Sequence, residues 1–257
     1  MRFSVLASGS GGNACYVETP STGVVIDAGL SSRELIRRLR IIGVDPSRVN
    51  ALVITHEHLD HIKGAGPLAR RLDIPVFING ATLKRGWRAL GNLSRPIPLH
   101  TGQAITIGDL ILETFTKCHD AADPMGVVIS ANGNRLGLVT DLGRSSPVVE
   151  DRIRGCRGLI LEFNHDEKML EQGPYPLALK RRIKGPDGHL SNRQAGRLLK
   201  SVAHEKLAWV VLAHLSEANN LPDKALKEAE KALNESGRGE TKILVSTQDE
   251  PLPLVDC

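Results

Sequence analysis

The chain is expected to fold as one α/β domain, and three observations carry that expectation. Apolar runs of strand length alternate with helix-periodic segments along all 257 residues. No linker, low-complexity tract or internal repeat interrupts the alternation. The densest polar cluster, Thr55-His56-Glu57-His58-Leu59-Asp60-His61, comes straight after the apolar run Ala51-Leu52-Val53-Ile54, so its side chains gather at a strand end beside the core.

Residues 3–7 form the first strand and lead into Gly9-Ser10-Gly11-Gly12-Asn13-Ala14. This matches the GxGxxA pattern of dinucleotide sites, with Asp27 at a suitable distance. A Rossmann unit needs a helix immediately after the glycines, however, and Cys15-Tyr16-Val17-Glu18 is another β run, followed by a turn and the strand Val24-Val25-Ile26. The glycines are therefore expected to form a loop between consecutive strands, without a nucleotide cofactor. Ser31 and Glu34 form a capping box ahead of a helix whose apolar positions Leu35, Leu39 and Ile42 end at Gly43. The strand at 51–54 then delivers the histidine cluster. Further helices are expected at 67–72, 82–90, 192–202 and 225–233, with strands at 76–78, 157–162, 207–213 and 243–245. The stretch 104–116 is β-rich, and Asn132-Gly133 marks a tight hairpin between strands at 127–130 and 136–140.

Composition narrows the class. Four cysteines, Cys15, Cys118, Cys156 and Cys257, are scattered without a CxxC pair, which points to reduced thiols and a cytoplasmic location. The amino-terminal apolar run is too short for a signal peptide, and no stretch approaches the roughly 20 apolar residues that span a bilayer, so no membrane partner is expected. Net charge is +4, from 33 basic and 29 acidic residues. The excess is concentrated in Lys180, Arg181, Arg182, Lys184, Arg193, Arg197 and Lys200, with Asp187 as the one acid between 180 and 200. Such a run suits a phosphate-bearing substrate or is simply a solvated helix face. Eight aromatic residues are too few for extensive base stacking, so a nucleic acid would be held by its backbone.

Imidazole and carboxylate are ligands for zinc, manganese or iron. In an extended segment His56 and His58 point the same way, whereas Asp60 and His61 reach a neighbouring position after the chain turns. One motif can thus feed two metals. Catalytic metals take about three protein ligands each, so others must come from elsewhere. His119, Asp141 and His214 each follow a predicted strand. Singly each could be a turn residue; together they supply the missing number and type.

These residues, with Asp27, resemble in order and spacing the five motifs of the metallo-β-lactamase fold over nearly the whole chain. The segments 9–14, 55–61, His119-Asp-Ala-Ala-Asp-Pro124, Thr140-Asp-Leu-Gly143, Glu162-Phe-Asn-His165-Asp166, Gly188-His189-Leu-Ser191 and 214–220 are similar to those of the bacterial YycJ/VicX (WalJ) group. The segments around His189 and His214 also resemble ribonuclease Z. The resemblance implies an αββα four-layer sandwich of two mixed sheets flanked by helices, in a single domain from 1 to 257. It implies a metal-dependent nuclease, most closely a 5′-to-3′ exonuclease on DNA, using metal-bound hydroxide on phosphorus. Two divalent ions, Zn2+ or Mn2+, would be held by His56, His58 and His119 and by Asp60, His61 and His214. Asp141 would bridge them and Asp27 would orient the histidine loop. Asp60, His189 and His165 are carried over as candidate catalytic groups, the two histidines as proton donors, while Lys180, Arg181, Arg182 and Lys184 are candidates for substrate contact. DNA is favoured over RNA as the partner, and the oligomeric state is open. A small-molecule phosphodiester, thioester or lactone hydrolase of the same fold is the competing enzyme reading, and a catalytically silent metal-binding regulator the competing non-enzyme one. His100 and His204 have no motif context.

Overall fold

The computed structural model describes residues 1–257. In chain order its elements are β1 (Arg2–Ala7), β2 (Ala14–Glu18), β3 (Gly23–Ile26), α1 (Ser32–Ile41), β4 (Val49–Val53), α2 (Leu59–Ile62), α3 (Ala65–Leu72), β5 (Val76–Ile78), α4 (Gly80–Leu90), β6 (Pro96–Pro98), β7 (Ala104–Ile107), β8 (Leu110–Thr116), β9 (Met125–Ala131) and β10 (Asn134–Val139). The chain continues through α5 (Pro147–Ile153), β11 (Gly158–Glu162), α6 (Glu167–Gln172), α7 (Leu177–Lys184), α8 (Asn192–Val202), β12 (Trp209–Ala213), α9 (Pro222–Glu235), β13 (Lys242–Val245) and β14 (Val255–Asp256).

Two seven-stranded mixed sheets result, in the orders β14-β1-β2-β3-β4-β5-β6 and β13-β12-β11-β10-β9-β8-β7. Their facing sides share one apolar cluster that includes Phe3, Val5, Ile26 and Val53 from the first sheet and Leu112, Val127, Leu136, Ile160 and Val211 from the second. A second cluster packs Leu159, Leu161, Val210 and Leu212 under Val149 of α5, Leu198 and Leu199 of α8 and Ala229 of α9. A third packs Val25, Leu52 and Val76 under Leu35 and Leu39 of α1, Leu68 of α3 and Leu90 of α4. Central strands buried on both faces explain why 51–54, 158–161 and 210–213 read as continuous apolar runs rather than alternating ones. This is the expected helix-sheet-sheet-helix layering.

The glycine loop joins β1 to an antiparallel β2, and no helix intervenes. Gly11 N–H and Gly12 N–H donate to Gln248 Oε1 (2.8 and 3.1 Å), so the loop is closed by the carboxyl-terminal segment. Asn132 and Gly133 both take positive φ (51° and 78°) in the two-residue connection that pairs Ala131 with Asn134, the backbone a tight hairpin demands. All four cysteines are free. No helix is long and apolar enough to cross a membrane.

Sequence periodicity did not find α5, α6 and α7, which have 7, 6 and 8 residues and too few turns to establish a pattern. As a consequence the basic run from 180 to 200 is not one surface. It is divided between α7 and α8 by a loop that carries His189.

Close backbone approach fixes the histidine loop against β3. Asn13 N–H donates to Asp60 O (2.7 Å) and Ala28 N–H to His61 O (2.7 Å). A Cβ on Gly29 would stand 1.7 Å from Asp60 O. Gly29→Ala should therefore displace the loop and lower stability by about 1–3 kcal/mol in urea titration. Gly80→Ala, in open space at the start of α4, should change stability by less than about 1 kcal/mol. Equal, small effects of the two would mean that the loop is not pinned at Gly29.

Candidate active site

The polar cluster forms where strands of both sheets end along one edge. β4 delivers Thr55 and the histidine loop, β8 delivers His119, β10 delivers Asp141, β11 ends at Glu162 and β12 delivers His214. Three of the site residues at strand ends sit in the left-handed backbone region: Asp27 (φ 60°), Asp141 (φ 54°) and His214 (φ 57°). Non-glycine residues there carry strain of order 1 kcal/mol each. Here the strained residue turns the chain sharply off the strand, which brings its side chain back to the cluster.

The structure brings together all seven predicted ligand residues. His56, His58 and His119 offer nitrogens that converge in one group, and Asp60, His61, Asp141 and His214 form a second. Asp141 lies between them. Its Oδ2 is 3.1 Å from His61 Nε2, and its Oδ1 is 3.5 Å from His214 Nε2 and 3.8 Å from His119 Nε2.

Hydrogen bonds on the far side of the rings decide which nitrogen faces inward. Asp27 Oδ2 is 2.7 Å from His61 Nδ1, and the same carboxylate accepts the Thr55 N–H (2.8 Å) and hydroxyl (2.7 Å). Asp27 thus contacts the histidine loop three times, through Thr55 and His61. His119 Nδ1 lies 3.2 Å from Gly188 O, His56 Nδ1 lies 3.0 Å from Thr55 Oγ1, and His58 Nε2 lies 3.2 Å from Asp120 O. The free nitrogens His119 Nε2 and His58 Nδ1 then meet at 3.2 Å. Two lone pairs at that distance repel unless a proton or a cation lies between them.

Three buried polar atoms in the cluster have no hydrogen-bond partner: His56 Nε2, His214 Nε2 and Asp141 Oδ2, the last being poorly aligned with His61 despite its proximity. Buried orphan polar atoms are costly, and imidazole and carboxylate atoms converging in this way suit a divalent cation once the imidazoles give up their protons. The residues present fit a metal.

Electrostatics divides the two groups. Burial holds His56 well below its ordinary value and His119 down to about 4, so both are neutral near pH 7 with lone pairs available. Burial acts in the same direction on His61 and His214, but there it is outweighed. The Asp141 and Asp27 carboxylates raise His61 to about 10, and Asp141, Asp60 and Glu162 raise His214 well above its usual range. Burial would raise Asp141, yet the charges on His214 and His61 hold it far below the ordinary carboxylate value. The second group therefore demands positive charge, which protons supply when no cation does.

Glu162 is a site residue to which its motif in the sequence assigned no role. It is fully buried and accepts from five donors: Asp141 N–H (3.1 Å), Leu142 N–H (2.9 Å), Leu190 N–H (3.0 Å), His189 Nδ1 (2.8 Å) and His214 Nδ1 (3.0 Å). Although burial opposes ionisation, the His189 charge and hydrogen bond keep it ionised. The strand-end rule that selected Asp141 would also have selected Glu162, the last residue of β11. Asn13 was likewise missed; its Nδ2 lies 3.2 Å from Asp60 Oδ2 and 3.1 Å from His61 Nε2. Lys117, buried beside these acids, donates to Thr140 O.

His189 is drawn into the cluster, its ring centroid 5.3 Å from that of His119 and 5.1 Å from that of His214. His165 is not. It is buried behind the cluster, its Nδ1 3.3 Å from Asn164 Oδ1, and burial lowers it to about 4. Of the α7 cations, Lys184 pairs with Glu171 Oε1 (2.7 Å) and Arg182 pairs with Asp120 Oδ2 (2.5 Å), whereas Lys180 donates to the backbone carbonyl of Glu171 (2.7 Å) and, like Arg181, is in no ion pair. His100 is exposed, and His204 Nε2 lies 3.0 Å from Cys156 O.

Comparison with known proteins agrees with this geometry. Residues 7–214 match the metallo-beta-lactamase superfamily. The chain is 38% identical over 245 residues to exodeoxyribonuclease YycJ of Bacillus anthracis, spanning 93% of this chain and 91% of that protein. It is 32% identical over 266 residues to exodeoxyribonuclease WalJ of Streptococcus pneumoniae serotype 2, spanning 99% and 97%. Among solved structures, the metallo-beta-lactamase fold protein YhfI of Bacillus subtilis superposes with a TM-score of 0.74 over 98% of both chains at 16% identity, a likeness of fold alone. From the family match and the two relatives that align with nearly its full length, the chain belongs to the metallo-beta-lactamase superfamily and, within it, to the group of YycJ and WalJ.

Proposed function

We propose that the protein is a dinuclear-metal phosphodiesterase that degrades DNA as a 5′-to-3′ exonuclease. One observation carries the dinuclear reading: two ligand groups meet at a single buried carboxylate, Asp141, which lies within 4 Å of histidines from both. His56, His58 and His119 would hold one divalent ion; Asp60, His61 and His214 would hold the other. Asp141 has two oxygens and can serve both. Zinc and manganese each suit this mixed set. Bound there, the ions would acidify water and draw negative charge from a phosphoryl group. DNA as substrate and exonuclease action are supported by the names of the YycJ and WalJ relatives, and the polarity by the resemblance to that group.

The chain's own residues supply the rest. Asp60 is the most open of its group, with 24% of its side chain exposed against 0–5% for His61, Asp141 and His214, and its Oδ2 is held by Asn13. It would orient the attacking water at the mouth of the site. His189 is steadied through Nδ1 by Glu162, which leaves Nε2 to carry a proton to the departing oxygen. It stands nearer the cluster than His165, which meets it only through Asn164, itself bonded to His214. Lys180, Arg181, Arg182 and Lys184 add positive potential on α7; Arg182 does so while anchoring Asp120 next to His58 and His119.

Incubation with end-labelled DNA and RNA in the presence of zinc or manganese tests substrate class and polarity together. Progressive release of nucleotides from the 5′ end of DNA is expected; release from the 3′ end, or action on RNA alone, would overturn the assignment.

Metal analysis of protein purified without chelator should approach two ions per chain, and Asp141→Ala should lose at least one. A saturated protein with one ion would refute the shared site.

Loading the apoprotein at pH 7 should release protons, because His61 and His214 are protonated there and a cation needs their lone pairs. Metal affinity should accordingly climb with pH through about 10, where His61 is half deprotonated, and level off only above it. Calorimetry in two buffers of different ionisation enthalpy measures the release; identical heats would show that the acidic group takes no cation.

His189→Ala should slow cleavage of ordinary DNA by about 10² to 10⁴, since an alkoxide leaving group needs a proton. A p-nitrophenyl phosphodiester, which expels a weak base, should be slowed far less. Equal losses, or loss of metal, would make the residue a scaffold.

A further inference from the structure

The basic surface that remains free in the folded protein is not the one that stands out in the sequence. In addition to the α7 pairs, Arg193 lies 3.5 Å from Glu167 and Lys200 lies 2.8 Å from Glu235. Most cations between 180 and 200 are thus answered by acids from other elements. The segment 61–108 is different: seven lysines and arginines face one acid, Asp73. That acid is itself taken by Arg95, at 3.9 Å. Lys84, Arg85 and Arg88 on α4 and Lys63 at the end of α2 are exposed, and none is in an ion pair.

The same helix carries Trp87. Of the eight aromatic residues it alone is exposed, at 61%, and the Arg88 guanidinium carbon lies 5.4 Å from its ring centroid. Its indole leaves a broad π-face open to solvent. A stacked base would cover one face of it while Arg88 keeps the other.

Position ties α4 to the histidine loop through its buried face and its cap. A Cβ on Gly86 would be 2.8 Å from Ile62 Cδ1 and 3.5 Å from Cβ of Glu57, the residue between His56 and His58. Asn79, which caps α4, donates through Nδ2 to Asp123 O (2.8 Å) in the loop that carries His119. Helical spacing places Lys84, Trp87 and Arg88 together on the outward side of α4, at i, i+3 and i+4. Leu59, 65% exposed between His58 and Asp60, continues an accessible surface towards the ligands.

We propose that α4 is the track on which a single DNA strand lies as its end is held at the cluster, with Trp87 stacking on one base and Lys63, Lys84, Arg85 and Arg88 meeting phosphates. The proposal rests on the nuclease reading above. It departs from that reading in assigning the polymer grip to α4 rather than to α7. One stacking residue among unpaired cations would hold any sequence, because every base has a π-face and every phosphate the same charge.

The test uses the metal-loaded protein and a twelve-nucleotide oligothymidylate with phosphorothioate linkages, followed by tryptophan fluorescence and by anisotropy of a labelled strand. The other tryptophan, Trp209, lies beneath Lys242 at 4.8 Å and gives a constant background. Binding should quench fluorescence in the unaltered protein but not in Trp87→Ala, whose Kd should rise by roughly tenfold or more. Replacing Lys84, Arg85 and Arg88 together with Gln should reduce the slope of log Kd against log salt by about 2, since each contact with a single strand contributes about 0.7. DNA binding with unchanged affinity in Trp87→Ala and an unchanged salt slope in the triple variant would overturn the α4 track while leaving the nuclease reading intact. Failure of the unaltered protein both to bind the strand and to cleave end-labelled DNA would overturn both.

Discussion

The carboxylate of Glu162 is the point on which the site turns. It is sealed from solvent, and it would be unstable as a buried anion unless its oxygens were fully engaged. Its five donors come from three places far apart in sequence: the backbone after β10, the loop between α7 and α8, and the residue after β12. Loss of any donor would leave charge partly uncompensated in a low-dielectric interior, so the three loops are held in register by the cost of separating them. Asp27 does the same at the other end, where one carboxylate takes Thr55 twice and His61 once. Two buried anions that are not in direct line with the reacting group thus set the angles of the imidazoles that are.

This also explains why the site tolerates strained backbone. Asp27, Asp141 and His214 adopt left-handed conformations that each cost of order 1 kcal/mol. The strain is absorbed by strands whose other residues are buried on both faces, and by hydrogen bonds that only the turned conformation permits. Among them is the His214 N–H, which reaches Ser8 Oγ of the opposite sheet at 2.7 Å. Both sheets must therefore be assembled before the ligand geometry exists. Neither half of the chain carries a complete group on its own, since His56 and His58 belong to the first sheet and His119, Asp141 and His214 to the second.

Much of this was legible in the sequence because it is written in residue identity at strand ends. An apolar run followed by His or Asp locates a candidate ligand without knowledge of the fold, and His56, His58, Asp60, His61, His119, Asp141 and His214 all converge. The glycine loop was legible through its neighbour: a strand starting at Ala14 leaves no room for a nucleotide-binding helix. Glu162 was within reach of the same strand-end rule, but its role was not legible, because that role lies in five donors that only the folded chain brings together. Helices α5, α6 and α7 were lost to shortness. Charge was the least legible property. Seven cations between 180 and 200 stood out because they are consecutive or nearly so, yet Glu171, Asp120, Glu167 and Glu235 pair with four of them, across distances that no linear pattern reveals.

Chemistry and substrate grip consequently reside on different kinds of structure. The candidate ligands are buried or half-buried at strand ends and are fixed by fully engaged carboxylates, so their geometry depends on the interior of the sandwich. The free charge and the one exposed aromatic ring are on helices and loops at the rim, where a side chain can change without disturbing a buried hydrogen bond. A fold arranged in this way can keep one hydrolytic centre and alter what reaches it. For this chain the deciding feature at the rim is therefore the pairing of its cations rather than their number. Arg182, tied to Asp120, stiffens the loop of His119 and has little charge left to offer; Lys84 and Arg85, tied to nothing, offer all of theirs. In this protein basicity read along the chain marks helices, and basicity left over after folding marks the approach to the site.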